Sequence, residues 1–73
     1  MKYFIDRMST GRPWLYRVND ESTKAVDYWS YRHGKWAPCP TVTYNDGKIW
    51  YCNNYAESWT KEITEAEIFL ELL

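Results

Sequence analysis

The sequence predicts a small α+β fold: an antiparallel β-meander of four to six short strands with one C-terminal α-helix packed on it. Three observations predict it. Turn signals recur every 8–12 residues between short aromatic and β-branched runs, which is the spacing of a meander. The segment "NDG" at 45–47 is the strongest short hairpin signal in the chain. The last eleven residues, "ITEAEIFLELL", carry a helix start and a broad apolar arc.

The first strand is "KYFIDR", and "STGRP" ends it as a turn. "WLYRV" alternates Trp14, Tyr16 and Val18 against Leu15 and Arg17, the period of a strand. "NDESTK" is polar and turn-like. "AVDYWSYR" is the best strand pattern, and "HG" offers a tight turn before "KWAP". "TVTY" and "KIWYC" flank the "NDG" hairpin. Asn53 and Asn54 suit a further turn because Asn tolerates left-handed backbone. "YAESWTKEI" fits either an edge strand or an irregular segment. Thr64 is the predicted N-cap, with Glu67 completing a capping box and Ile63 and Ile68 a hydrophobic staple. Phe69 is expected in the core, clamping the helix to the sheet.

Seventy-three residues make a single domain, 1–73, with a β-rich part at 1–60 and the helix at 64–73. So short a chain has a marginal core, and large side chains compensate: Trp 5, Tyr 7 and Phe 2. The formal charge of −1 gives no polycationic footprint for duplex nucleic acid. No apolar run reaches the length of a membrane span, and the N-terminus lacks the apolar core of a signal peptide. A cytoplasmic protein with no membrane contact is therefore expected. Charge is uneven: residues 1–36 hold seven Lys/Arg against four Asp/Glu, a balance of +3, and residues 37–73 hold two against six, a balance of −4.

Cys39 and Cys52 without a secretion signal read as reduced thiols. With His33 they lack the paired spacing and fourth ligand of a zinc site. His33 is the single histidine, sits beside Gly34 and has no partnered nucleophile. No catalytic residue, metal or cofactor is assigned.

The aromatics bear on function more directly. Pairing "WLYRV" with "AVDYWSYR" so that Arg17 faces Asp27 places Tyr16 opposite Tyr28 and Val18 opposite Val26 on one face. The other face then holds Leu15 opposite Trp29, with Tyr31 beside it. One short helix covers one face, expected to be that of Tyr28. The uncovered set, Trp29, Tyr31 and Trp36 with Leu15 and with Arg17 and Arg32 as polar rim, becomes the expected partner-binding site, since Trp, Tyr and Arg are enriched at hot spots. The alternative fate is burial of both sets by a curled sheet. The partner is a protein of unknown identity or a second copy. The second reading is single-stranded nucleic acid, held by the basic, aromatic N-terminal half: Arg12, Arg17, Arg32 and Lys35 beside Trp14, Tyr28, Trp29 and Tyr31.

Two resemblances follow from particular residues. "GKWAPCPTVTYNDGKIWYCNNYAESW" resembles a WW domain, with Trp36 and Trp59 23 positions apart. The segment between Asn53 and Trp59 is too short for that family's second loop, and no Pro follows Trp59, so no proline-peptide function is carried over. "YRV", "DYW", "GKW" and "EITEAE" are together similar to small uncharacterised proteins encoded by bacteriophages and bacterial mobile elements. That resemblance implies a β-rich miniature domain without a catalytic site, acting as an inhibitor or adaptor on a host protein.

Overall fold

The computed structural model describes residues 1–7, 11–51 and 60–73, with Tyr51 described in its backbone only. Expectations for Asn53, Asn54, Cys52 and 55–59 lie outside these residues. Among the described residues six antiparallel strands form one sheet: β1 (Lys2–Asp6), β2 (Trp14–Val18), β3 (Ala25–Ser30), β4 (Lys35–Asn45), β5 (Lys48–Tyr51) and β6 (Thr60–Ile63). The order across the sheet is β5-β4-β3-β2-β1-β6, and helix α1 (Glu65–Leu72) follows. The expected α+β meander is the observed fold. The ambiguous segment "YAESWTKEI" resolves at its end into β6, which pairs with β1 and returns the chain to the far edge of the meander.

Local chemistry sets the turns. Asp46 (φ 55°) and Gly47 (φ 75°) both occupy left-handed backbone, the geometry of a two-residue type I′ hairpin. Between β2 and β3, the Asp20 carboxylate accepts from the Ser22 backbone N–H at 2.9 Å and its hydroxyl at 2.7 Å. The Ser22 hydroxyl and backbone N–H hold the Asp20 carboxyl below its ordinary range. The β3–β4 turn closes with the Gly34 N–H donating to the Ser30 carbonyl at 2.7 Å.

The β2–β3 register is the expected one: Tyr16 pairs with Tyr28 and Arg17 with Asp27. Arg17 Nε and Nη2 donate to Asp27 Oδ2 at 3.2 and 2.9 Å. The segments "KWAP" and "TVTY", read as separate in the sequence, belong to one strand that is broken in register. Two steps along β3, from Ala25 to Asp27, match five steps along β4, from Thr43 to Pro38. Pro38 and Pro40 offer no backbone N–H, so a regular ladder cannot run through this stretch. The offset of three residues is odd and therefore exchanges the faces. Trp36 points to one side of the sheet, while Val42 and Tyr44, also even-numbered, point to the other.

Both faces are thereby buried. On the first, Phe4, Tyr16, Val18, Val26, Val42, Tyr44 and Ile49 form one cluster. Strands β1 and β4 would lie about 14 Å apart in a flat sheet. The Phe4 and Tyr44 rings are 6.1 Å apart, so the sheet coils over this face. On the second, Tyr3, Ile5 and Leu15 pack beneath Ile68 of α1, with Trp29, Tyr31, Trp36, Ile63 and Leu72 around them.

The helix begins as the sequence predicts. Thr64 Oγ1 accepts from the Glu67 backbone N–H at 3.2 Å, and Glu67 Oε1 accepts from the Thr64 backbone N–H at 2.9 Å. Two expectations are corrected. The helix covers the Trp29 face, whereas Tyr28 packs against the opposite cluster. Phe69 is not a core residue: it is 59% exposed, and Ile68, 1% exposed, makes the clamp instead. The reason is phase. A helix advances about 100° per residue, so once Ile68 and Leu72 face the sheet, Phe69 and Leu70 turn away from it.

Candidate functional site

Six residues were singled out by the sequence for partner binding, and the structure places them in three situations. Leu15 is wholly buried under Ile68 and presents no surface, which corrects its place in an exposed patch. Trp29, Trp36 and Arg17 are half-buried along the margin of the helix-covered face. Trp36 pairs with Trp29 across β3 and β4, and the two indoles meet edge to face at 5.4 Å. The Arg17 guanidinium lies 4.7 Å over the Trp36 ring while it holds Asp27, so its charge and its flat face are both engaged internally. Tyr31 and Arg32 lie in the β3–β4 turn; Tyr31 is half-buried and Arg32 exposed.

The turn carries the more open site. Arg12, Pro13 and Trp14 at the start of β2 and Tyr28 to His33 at the end of β3 line a solvent-open groove of about 500 Å³. Of the eight residues proposed for the nucleic-acid reading, the groove collects Arg12, Trp14, Tyr28, Trp29, Tyr31 and Arg32. Its geometry is fixed from below. Tyr31 Oη donates to the Pro13 carbonyl at 2.8 Å, tying the turn to the entry of β2. The Arg12 guanidinium stands 4.9 Å over the Tyr31 ring. Burial, and then the charge of Glu71, push the Tyr31 phenol above its ordinary value, which keeps it a neutral donor. Trp14 remains 50% exposed, its ring stacked on Tyr16 at 6.5 Å and 11° and tilted against Tyr28 at 6.1 Å.

A second surface was missed by the sequence reading. The outer side of α1 presents Phe69 (59% exposed), Leu70 (68%) and, at the C-cap, Leu73 (99%), with exposed Ala66 one turn earlier. Positions 66, 69, 70 and 73 are spaced i, i+3, i+4, i+7, the signature of a helix face. The signal was present: the helix is apolar on two sides, with Ile68 and Leu72 on one and this stripe on the other. Glu65 and Glu67 are exposed beside it. Backbone and side-chain hydrogen bonds from Thr64 hold the Glu67 carboxyl below its ordinary range, so it is ionised near neutrality. Glu71 pairs with Arg7, which fastens the helix to the segment after β1.

Among the described residues no helix is long and apolar enough to cross a membrane, and no group of three or more His, Cys, Asp or Glu is arranged to hold a metal ion. Cys39 is a free thiol, with Sγ 3.4 Å from Thr41 Oγ1. No family model, curated protein or solved structure matches the chain.

Proposed function

We propose that this protein is a non-enzymatic protein-binding module, an inhibitor or adaptor, that docks through the outer face of α1. The observation that carries the reading is the exposed stripe of Ala66, Phe69, Leu70 and Leu73 on a helix whose other side is already buried. Large apolar side chains concentrated on one exposed helix face mark interaction surfaces more often than single scattered ones do. A helix presenting i, i+3, i+4 and i+7 anchors is suited to an apolar groove on a partner.

Charge selects the kind of partner. The stripe is flanked by the carboxylates of Glu65 and Glu67, and the last turn of the helix holds no basic residue. A groove rimmed by Lys and Arg complements it. A second copy of the same face would bring carboxylates against carboxylates, so a different protein is favoured over self-association. This moves the binding surface from the Trp29 and Tyr31 face to the back of the helix that covers it.

The test is selection from a random peptide library. The wild type should enrich peptides with apolar residues at helical spacing flanked by Lys or Arg, and a Phe69→Ser/Leu70→Ser variant of unchanged melting temperature should not bind them. No enrichment, or equal binding by the double variant, would overturn the reading. So would a wild-type dimer in sedimentation that the double variant converts to a monomer, since the occupant would then be a second copy.

A further inference from the structure

We propose that the groove between the start of β2 and the β3–β4 turn binds single-stranded nucleic acid, stacking a base on Trp14 and holding backbone phosphate with Arg12 and Arg32. The site is independent of the helix stripe and uses none of its side chains.

The lining of this groove is one-sided in charge. It includes Arg12 and Arg32, and no carboxylate. The contrast with other arginines is direct. Arg17 is neutralised by Asp27 and Arg7 by Glu71, whereas among the described residues neither Arg12 nor Arg32 is ion-paired with a carboxylate. Cations left without an acidic partner beside a concave surface attract an anion. The adjoining hollow does contain Glu71, but that carboxylate is occupied by Arg7.

The aromatic lining narrows the class of anion. A simple phosphate or sulfate gains nothing from Trp14, Tyr28 and Tyr31, whereas a nucleotide presents a flat ring and a phosphate in every unit. Trp14 is a ready platform: Tyr16 and Tyr28 hold its ring in place while half its surface stays open. Stacking of this kind tolerates any base, so the site reads chain and not sequence. The groove's volume of about 500 Å³ is in the range of small-ligand sites. Duplex is disfavoured, because its bases are already stacked and the whole chain carries a charge of −1.

The experiment is fluorescence anisotropy of a labelled oligothymidylate of about ten nucleotides, at low salt, with heparin and a duplex of equal length as competitors. Saturable binding is expected, with log affinity falling by about 0.7 per phosphate held for each unit of log salt. Trp14→Ala should weaken binding about tenfold and leave the salt slope unchanged. Trp14→Phe should restore most of the loss, which separates a lost platform from a lost fold. Arg32→Ala should flatten the slope. The Phe69→Ser/Leu70→Ser variant should bind as the wild type does, so failure of the helix reading leaves this result untouched. Absence of saturable binding would overturn the proposal. Equal competition by heparin with no effect of Trp14→Ala would also overturn it, because the groove would then be a patch for charge alone.

Discussion

The two faces of the sheet are both buried, but by different means. The first is closed by the sheet itself: Phe4, Tyr16 and Val18 of β1 and β2 meet Val42, Tyr44 and Ile49 of β4 and β5 as the strands coil. The second is closed by eight residues of helix, which insert Ile68 and Leu72 over Tyr3, Ile5 and Leu15. One face is held by the coiling of the sheet on itself, side chains of β1 and β2 against those of β4 and β5. The other depends on a helix fixed by its cap, by one apolar clamp and by the Arg7–Glu71 pair. Short isolated helices are marginal in water, so α1 exists because it is docked. The coiled face is therefore the core of the fold, and the helix face is its more easily opened part.

The largest expected effects come from cutting each face at a fully buried aliphatic. Ile49→Ala and Ile68→Ala should each cost roughly 2–5 kcal/mol, against a total that rarely exceeds about 5 kcal/mol in so small a domain. Ile49→Ala should unfold the whole chain. Ile68→Ala should first release the helix, seen as loss of amide-exchange protection in α1 while β2 and β3 stay protected. Simultaneous loss in both variants would show that the two faces melt as one unit.

Removing the cap tests the helix more gently. Thr64→Ala should cost about 1 kcal/mol, read from the denaturant midpoint. The Glu67 carboxyl is held below its ordinary 4.5 by its hydrogen bonds to Thr64. A depressed folded-state value means that its contribution is present above about pH 4.5 and is lost as pH falls through the lowered value. Glu67→Gln should therefore flatten the stability profile below that pH, and by less in a Thr64→Ala background, where the hydroxyl is gone but the backbone N–H of residue 64 still donates to the carboxylate.

The smallest effect is expected at Phe69. An exposed ring that touches little should cost no more than about 0.5 kcal/mol when truncated to Ala. A loss of several kcal/mol on thermal or denaturant melting would place Phe69 in the core after all and remove the stripe on which docking rests.

Local chemistry was readable at several points along the chain, although the strand read through Arg32 ends at Ser30 and the turn read at His33 and Gly34 takes in Tyr31 and Arg32 as well. The hairpin at Asp46 and Gly47 needs two left-handed residues, and few sequences besides Asp-Gly or Asn-Gly supply them. Thr64 and Glu67 cap the helix through atoms three residues apart. Arg17 and Asp27 fix their register because a slip by one residue would part the charges and exchange the faces. Each of these is decided within a turn or between neighbouring strands. The face that the helix covers was not readable, because both sides of β2 and β3 are apolar and either could receive it. The break in β4 opposite Ala25–Asp27 decided that question. It turned Val42 and Tyr44 toward Tyr28 and left Trp36 on the other side, so one face closed on itself and the other was left for α1. The phase of the helix followed from the same packing. Ile68 and Leu72, rather than Phe69, fit over Leu15, and the remaining apolar side chains of the helix were turned outward to the solvent.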